Sequence, residues 1–492
     1  MYISPIIQSK SMANKIIGRE KELKIFNNIT ASDKAEFLAV YGRRRVGKTY
    51  LIYEHFKSQI AFSFSGSFEE SMKVQLANFF REYLRFTKGQ KETMMPTDWS
   101  TAFSYLTDYL YGLKAKPGQK VVVFIDEMPC LDTPRSGFVS ALEYFWNQHG
   151  SKMNHVLLVA CGSVASWMKK KLLKSKGGLY NRITRRIKLE PFNLHQTAAY
   201  CKHKNLKLSN YQIIHLYMVM GGIPFYLNEI SSGKSVTQII NEVCFSTTGL
   251  LSDEYEQLYY SLFKNAANHI AIVETLAKHP YGLARNQLVK KSTLSDGGTF
   301  TRTINDLQES GFILKYQPFQ KKQKDSIYRL IDLYSLFYLR FIKGNISELK
   351  NTWQLLSKEN KFIAWSGYAF ENICMLHTSQ ILKKLGLSGT FTQISSWHHK
   401  GNNEIPSAQI DLLIDRRDGV INLCEAKFSN KEYIITKEYA TKLRRKRSVF
   451  EQVTKTKKSV VTTLITTYPA IQNNYFTEEV DSAVIMEDLF QL

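Results

Sequence analysis

Apolar runs alternate with helix-length amphipathic segments over the first part of the chain. Four short runs, rich in β-branched and aromatic residues, are typical of buried strands: FLAVYG, IAFSFSG, VVVFIDE and HVLLVACGS. The segments between them place apolar residues at helical spacing. Because strands that alternate with helices favour parallel pairing with crossover helices, the pattern predicts an α/β fold with a parallel sheet over residues 17–190.

The pattern changes beyond this sheet. Residues 191–260 are helical in character, as expected of a helical lid, and are interrupted by GGIPFYL. In residues 261–345, helix-length segments are followed by GFILKYQPFQKKQKDSIYRLID, two β-rich runs around a basic loop. Helices closed by such a hairpin predict a winged helix. Residues 346–360 read as a connector, and 361–492 as helix, strand, strand, helix, strand. Residues 1–16 precede the first motif and read as a tail.

The composition of the chain indicates what kind of partner it binds and in which cellular compartment it works. The 492 residues carry 66 Lys and Arg against 43 Asp and Glu, a formal net charge of +23. This excess favours a polyanion, nucleic acid ahead of a membrane surface, although a general basic bias would give the same number. The six cysteines contain no C-x-x-C pair, and no run approaches the roughly 18 apolar residues of a membrane helix. We therefore expect a cytoplasmic protein with DNA as partner and no membrane association.

The stretch AVYGRRRVGKTYLI holds the spacing G-x-x-x-x-G-K-T between a strand and a helix. In such a loop, backbone N–H groups surround phosphate oxygens at the positive end of the helix. Lys48 would reach the outer phosphates of ATP, and the Thr49 hydroxyl would bind Mg²⁺. The predicted cofactor-binding residues here are Gly42, Arg43, Arg44, Arg45, Val46, Gly47, Lys48, Thr49 and Tyr50.

Two later strands end in polar residues that fit the same site. VVVFIDE ends in Asp126 and Glu127, at the edge where open α/β sheets bind ligands. Asp126 would hold Mg²⁺, and Glu127 would act as general base toward the attacking water. Ser163, after the next strand, is either a sensor of the γ-phosphate or a helix cap. One of Arg182, Arg185 and Arg186 is a candidate arginine finger, in cis or from a neighbouring subunit, although a solvated basic face explains any single one equally well.

The segments IIGREKEL, YGRRRVGKT, FIDE, CGS and GGIPFYL, in this order, resemble the prokaryotic ATPases of the AAA/STAND group. The resemblance covers about half of the chain and implies a winged helix behind the ATPase core. It also implies that Pro224 contacts the adenine side of the nucleotide. Members typically use ATP as a switch of domain arrangement or assembly. An ATP-dependent homo-oligomer and a protein partner are both compatible with it.

The predicted winged helix places a recognition helix at residues 298–310. Either this helix reads DNA directly, or the module only docks against other domains. Asp306 and Glu309 on the same helix would repel phosphate if they faced it. The candidate DNA contacts are Thr299, Thr301, Arg302, Asn305, Lys321, Lys322 and Lys324.

Near the end of the chain, QIDLLIDRRDGVINLCEAKF predicts a β-hairpin. Glu425 and Lys427 share one face because side chains alternate along a strand. A three-residue loop, 417–419, with Gly419 in the left-handed region, would place Asp411 opposite Glu425. A two-residue turn would place Asp411 on the other face.

Two carboxylates beside a lysine suit metal-dependent phosphodiester cleavage, with Mg²⁺ or Mn²⁺ held by the acids. Glu371, on a preceding helix, would complete the metal site with Asp411 and Glu425. This set resembles the PD-(D/E)XK nuclease fold, and is similar to the nuclease-like domain at the C-terminus of the same ATPase family. Gln409 departs from the acid often found before the strand. A surface salt-bridge ladder is the alternative.

The basic segment TKEYATKLRRKRSVFEQVTKTKK follows the hairpin and favours contact with phosphates. Together these features predict a P-loop ATPase that couples its nucleotide state to a DNA-directed, Mg²⁺-dependent nuclease-like domain. The alternative is an ATP-gated DNA-binding regulator whose nuclease fold is catalytically silent.

Overall fold

The computed structural model describes residues 16–89, 94–173, 179, 181–345 and 352–492. Most of the predicted tail (1–15) and the start of the predicted connector (346–351) lie outside the described residues. The chain divides into two compact units. The first runs to Gly42 and resumes over Gly47–Leu189, and the second comprises Arg43–Val46 and Glu190–Leu492. Among the helices described, none has both the length and the apolar character that crossing a membrane requires.

The first unit is built on a five-stranded parallel sheet, as the alternating pattern predicts. Its strands are β1 (Glu36–Tyr41), β2 (Ile60–Ser65), β3 (Val121–Asp126), β4 (Val156–Gly162) and β5 (Arg185–Lys188). They are ordered β2-β3-β4-β1-β5, and every residue of β1, β3 and β4 is buried. Because β1 and β3 each lie beside β4, their carboxyl ends meet at one edge of the sheet, where an open α/β sheet binds its ligands.

Helices flank this sheet and bury their apolar faces against it. They span Glu20–Thr30, Lys48–Phe56, Met72–Phe86, Trp99–Tyr111, Phe138–Gln148 and the short Ala165–Trp167. Local capping fixes two of the helix starts, since Ser71 and Asp98 accept hydrogen bonds from backbone N–H groups of the first turn. The resulting aromatic core includes the buried side chains of Phe79, Trp99 and Phe145.

The second unit begins as a helical region. Its helices are Leu194–His203, Asn210–Met220, Pro224–Leu227, Val236–Ile240, Leu250–Tyr260 and Ala266–Ala277. Capping boxes at Asn193, Ser209 and Ser235 start three of them, each with a Gln three residues later that returns a hydrogen bond.

A small module of helices and antiparallel strands follows. After the helix Ala266–Ala277 come β6 (Leu283–Ala284), the helices Arg285–Ser292 and Gly298–Glu309, β7 (Ile313–Tyr316) and β8 (Ile327–Leu330). The three strands are ordered β6-β8-β7 and pair antiparallel. The helix Leu333–Phe337 begins directly beyond β8.

The C-terminal region contains a mixed five-stranded sheet. Its strands are β9 (Thr392–His399), β10 (Ala408–Arg416), β11 (Val420–Lys427), β12 (Ser459–Thr466) and β13 (Ser482–Ile485). Strands β9, β10 and β11 pair antiparallel, whereas β11, β12 and β13 pair parallel. The helices of this region are Thr352–Leu356, Asn360–Leu376, Thr378–Lys384, Lys437–Thr454, Asn474–Glu479 and Met486–Leu489.

The hairpin between β10 and β11 has the register expected of the three-residue loop. Its described pairs run from Leu412 with Cys424 to Asp415 with Ile421. Gly419 closes the loop with a φ of 86°, a left-handed conformation that glycine adopts without steric cost. The register prediction is therefore confirmed for these pairs. The first of them involves Leu412, the residue next to Asp411.

Candidate active site

The loop between β1 and the helix Lys48–Phe56 has the shape of a phosphate cradle. Gly42 has a φ of 149°, and a Cβ added there would lie 2.2 Å from the carbonyl oxygen of Leu189. Gly47 has a φ of 86° and caps the helix that starts at Lys48. Only glycine fits both positions, because one lacks room for a side chain and the other needs the left-handed region. The helix N-terminus behind the loop favours an anion.

The side chains that would handle the nucleotide converge at this edge of the sheet. Lys48 is buried, and its Nζ donates to the carbonyl oxygen of Gly42 at 3.1 Å and to the hydroxyl of Ser163 at 3.0 Å. The Thr49 hydroxyl donates to Oδ2 of Asp126 at 2.7 Å. A hydroxyl and a carboxylate in contact supply the hard oxygen ligands that Mg²⁺ takes beside a bound phosphate. The two residues therefore fit the predicted magnesium site.

Glu127 and Ser163 form the next part of the site. Both carboxylate oxygens of Glu127 accept hydrogen bonds from Ser163, one from the backbone N–H at 3.1 Å and one from the hydroxyl at 2.5 Å. The short helix that follows Ser163 has Val164 as its N-cap residue, without a side-chain cap. Ser163 therefore does not cap that helix, and its hydroxyl links Lys48 to Glu127.

Two arginines of the loop interior are engaged with acids of the second unit. Arg43 is buried and donates to Oδ1 of Asp332, an ion pair in which both side chains are buried. Burial alone would lower the pKa of the Arg43 guanidinium, but the carboxylate of Asp332 raises it above its usual range. Arg45 pairs with Glu254 at 2.6 Å and lies over the ring of Phe225, 4.2 Å from its centroid.

The other predicted loop residues have distinct surroundings. The Arg44 guanidinium donates to the carbonyl oxygen of Ser261 at 3.3 Å, and Val46 is buried. Tyr50, on the following helix, is exposed. With two arginine side chains directed to acids, the loop offers its backbone N–H groups and Lys48 to a phosphate.

Pro224 is the first residue of the helix Pro224–Leu227, where a proline costs no hydrogen bond. The next residue, Phe225, carries the ring that stacks under Arg45. Within the second unit, the Gly-x-Pro motif therefore adjoins the loop residue Arg45. Arg182 is exposed just before β5.

Two of the predicted acids of the C-terminal region, Glu371 and Asp411, interact electrostatically. Oε2 of Glu371 accepts from Arg329 of β8 at 3.3 Å, and the Arg329 guanidinium is almost fully buried. Burial, and then the negative charge of Asp411, raise the pKa of Glu371 to about 7, against the opposing effects of Arg329 and Lys427. Asp411 accepts from the amide of Gln409 at 2.6 Å. Gln409, the departure from the nuclease pattern, thus holds this carboxylate.

Glu425 contacts a different set of groups. Its carboxylate accepts from Nζ of Lys446 at 2.5 Å and from the Tyr439 hydroxyl at 3.3 Å, both on the basic helix Lys437–Thr454. Nζ of Lys427 lies 5.0 Å from the centroid of the Tyr439 ring. Glu425 and Lys427 therefore do share a face, as alternation along the strand predicts.

The predicted set of three metal-binding acids is not assembled. In the part of the chain that the structure describes, no three His, Cys, Asp or Glu residues are grouped as a metal site requires. A register shift lies between Ile410 and Leu413, and both side chains join the core cluster that contains Leu423. Because this bulge breaks the alternation at Asp411, the hairpin register does not carry that side chain to Glu425.

Sequence reasoning missed two buried ion-pair partners, Arg329 of Glu371 and Asp332 of Arg43. Arg329 and Asp332 both lie in the run IYRLIDLYSLFYL, where they are the only charged residues. Charged side chains are almost never fully buried unless they are paired. Their position inside an apolar run was the available signal. Nothing in the sequence indicates which residues they pair with.

Comparison with known proteins agrees with the geometry of the loop. Residues 16–230 match the family described as an ATPase domain predominantly from Archaea. The chain is similar to the uncharacterized protein MJECL04 of Methanocaldococcus jannaschii. The two are 24% identical over 408 residues, which cover 81% of this chain and 83% of the other.

Similar structures include the Walker-type ATPase paby2304 of Pyrococcus abyssi, with 18% identity and a TM-score of 0.48 over 68% of this chain and 99% of that one. The ORC2 protein of Aeropyrum pernix has 12% identity and a TM-score of 0.32 over 69% of this chain and 97% of its own. The phosphate cradle before Lys48 lies within residues 16–230, the part of the chain that matches this ATPase domain.

Proposed function

We propose that this protein binds ATP at the loop before Lys48 and hydrolyses it slowly, as a switch. The supporting observation is the contact chain from Lys48 through Ser163 to Glu127, which joins a phosphate-binding cation to a candidate base. A γ-phosphate that accepts a hydrogen bond from Nζ of Lys48 would compete with the Ser163 hydroxyl for this donor. Ser163 thereby links phosphate occupancy to the orientation of Glu127.

Each residue has a separate task in this proposal. Lys48 and the backbone N–H groups of the loop hold the phosphates, and Glu127 accepts a proton from the attacking water. Thr49 and Asp126 would hold Mg²⁺, which supplies charge neutralisation on the phosphate oxygens when bound. Arg182, exposed before β5, is the candidate finger that would offset charge in the transition state.

Steady-state hydrolysis and ATP binding, measured on the same preparations, test this proposal. We expect Lys48→Ala to lose ATP binding and Glu127→Gln to bind ATP while its turnover falls at least about 100-fold, as loss of a general base does. The matched control is Glu70→Gln, which neutralises an exposed acid of the same unit. Turnover in Glu127→Gln equal to that of the control would refute the assignment of the base.

We also propose duplex DNA as the partner of the second unit. From Ala266 to Leu330 the module has the order helix, strand, helix, helix, strand, strand with a three-stranded antiparallel sheet, which supports the winged-helix prediction. On the candidate recognition helix the polar residues Thr299, Arg302 and Asn305 are exposed, while Asp306 is directed to His269 at 3.5 Å. Asp306, one of the two acids on this helix that would repel phosphate, is therefore engaged with His269, whereas Glu309 is half-buried.

The basic helix Lys437–Thr454 supports the same partner. Some of its cations are bound to acids, such as Lys446 with Glu425 and Arg444 with Glu478. Lys442 and Arg445 are exposed. Exposed cations on one helix, in a chain of net charge +23, suit phosphate contacts that weaken as salt is raised.

The acids of the C-terminal region favour the regulator over the nuclease. Glu371 is paired with Arg329 and Glu425 with Lys446, so that each carboxylate already has a cation. As arranged, these residues do not fit a metal ion. The primary proposal is therefore an ATP-gated DNA-binding regulator with a silent nuclease-like domain. A Mg²⁺- or Mn²⁺-dependent nuclease is the second candidate, favoured by the electrostatic interaction of Asp411 with Glu371.

Nicking of supercoiled DNA, with and without ATP, separates the two candidates. The regulator predicts ATP-dependent DNA binding and no nicking by the parent protein. The nuclease predicts nicking in Mn²⁺ that is lost in both Glu371→Gln and Glu425→Ala. Nicking that survives in Glu425→Ala would exclude the predicted nuclease site as its source.

A further inference from the structure

One short segment contacts both Arg43 of the phosphate-binding loop and Glu371, which with Asp411 forms an acid pair. We name residues 329–332, which run from the end of β8 to the start of the helix Leu333–Phe337, the bridging segment. Its two charged residues, Arg329 and Asp332, are both buried. They contact groups that are far apart in the sequence, because Asp332 binds Arg43 and Arg329 binds Glu371.

At one end, Asp332 holds the loop. Its Oδ1 accepts from Arg43, which is joined directly to Gly42 of the phosphate cradle. Its Oδ2 accepts from the backbone N–H and the hydroxyl of Ser335, at 3.0 and 2.5 Å, and so caps the helix Leu333–Phe337. The Arg43 guanidinium also lies over the ring of Phe312, 4.6 Å from its centroid. A buried pair anchored on both sides fixes the loop backbone.

At the other end, Arg329 holds the helix Asn360–Leu376. Besides its contact with Glu371, its guanidinium lies over the ring of Tyr368, 4.9 Å from the centroid. The backbone of the segment is held by the same helix, since the carbonyl oxygen of Leu330 accepts from Asn372 at 3.3 Å and from the Tyr368 hydroxyl at 3.4 Å.

The segment between these ends is braced along its backbone. Leu330 pairs with Ile313 of β7, and the N–H groups of Ile331 and Asp332 both donate to the carbonyl oxygen of Phe312, at 3.0 and 3.2 Å. Phe312 is thus bound to the segment by its carbonyl and to Arg43 by its ring. These contacts hold the segment as one unit, so that a movement of Asp332 is expected to move Arg329 as well.

We propose that Asp332 is a positioning residue for the phosphate-binding loop, and that the bridging segment couples this loop to the Glu371–Asp411 acid pair. The inference rests on the proposed binding of ATP at the loop and adds its regulation. When ATP binding changes the conformation of the loop, Arg43 moves and its partner Asp332 moves with it. Arg329, in the same segment, is then displaced relative to Glu371. Arg329 is the ion-pair partner of Glu371, so its displacement changes the electrostatic potential at this carboxylate.

Energetic coupling between sites is reciprocal, which supplies a test at a distance from the loop. If the segment couples the two sites, Glu371→Gln changes the Kd for ATP by at least about fivefold, the lower end of typical allosteric coupling. Asp415→Asn is the matched control, because it neutralises another acid of the C-terminal region, whose partner is Lys458. The control is expected to change the Kd less than about twofold, well below that coupling.

Weakening the contact between the segment and Arg43 distinguishes coupling from a general structural effect. In an Asp332→Asn background, Glu371→Gln is expected to leave the Kd for ATP unchanged, because the connection is already broken. Should Asp332→Asn fail to fold, Ser335→Ala removes one hydroxyl bond to the same carboxylate and is expected to reduce the effect of Glu371→Gln. Thermal unfolding of every variant verifies that each is folded at the assay temperature.

The outcomes separate this inference from the proposed function. A parent protein that binds no ATP overturns the proposed function itself. A parent that binds ATP with an affinity that Glu371→Gln does not change overturns the coupling alone. An equal effect of Glu371→Gln with and without the Asp332 substitution also overturns it, whereas loss of the effect supports it.

Discussion

The buried pair of Arg43 and Asp332 gives the sharpest stability prediction. Asp332→Asn removes the negative charge but keeps a side-chain oxygen, which can still accept from the backbone N–H of Ser335 and cap the following helix. Arg43 would then remain buried with its charge uncompensated. The loss is therefore electrostatic, and the size and shape of the side chain at position 332 hardly change.

The magnitude follows from the burial of both partners. Breaking a buried ion pair by removing one charge costs about 3–5 kcal/mol, because the remaining charge is still desolvated. For a large domain this lowers the unfolding midpoint on the order of 10 °C. A second substitution, Arg43→Met, removes the orphaned charge and leaves an apolar side chain against the ring of Phe312. We expect the double variant to recover at least half of the lost stability.

Scanning calorimetry on the full chain measures this directly, with the parent, Asp332→Asn, Arg43→Met and the double variant compared at one scan rate. We expect the double variant to be more stable than Asp332→Asn. If the double variant is as unstable as the sum of its two single substitutions, Arg43 and Asp332 do not interact in the folded protein and the argument fails.

Three further predictions concern the loop, the acid pair and the basic helix. Gly42→Ala should abolish ATP binding, because its Cβ would lie 2.2 Å from the carbonyl oxygen of Leu189; normal binding would contradict the loop geometry. Since folding raises the pKa of Glu371 to about 7, the folded state holds a proton that the unfolded chain has released, and stability should fall as pH rises from about 4.5 to 7. Denaturation midpoints should show a smaller fall over this range in Glu371→Gln, and an equal fall would exclude Glu371 as its source. Replacing Lys442 and Arg445 together by Glu should weaken DNA binding and flatten its salt dependence by about two counterions, as titrations at several salt concentrations would reveal; an unchanged slope would remove this helix from the interface.

The parallel sheet and the phosphate cradle could be predicted because local patterns specify them. Strands β1, β3 and β4 are buried along their whole length and so read as continuous apolar runs. Strand β5 was missed, since only Ile187 of its four residues is buried. Strand β9 was also missed, because its burial is irregular and its sequence, TQISSWHH, mixes polar and apolar residues.

Tertiary pairing set the limits of prediction at the candidate sites. The partner of Arg43 lies 289 residues away, and no local pattern relates the two positions. At the hairpin, turn chemistry around Gly419 gave the correct register. The side-chain direction of Asp411 did not follow from that register, because a bulge near Ile410 intervenes. Turns are encoded by the residues that form them, whereas this bulge involves the pairing of β10 with β9.

We propose above all that a triphosphate binds the backbone cradle ahead of Lys48. Equilibrium binding of labelled ATP in the presence of Mg²⁺ tests it most directly, with Lys48→Ala compared with Lys57→Ala, which removes the same charge from the exposed far end of the same helix. We expect the parent and Lys57→Ala to bind alike, and Lys48→Ala to lose binding while remaining folded. Equal binding by both lysine variants, or none by the parent, would contradict this proposal.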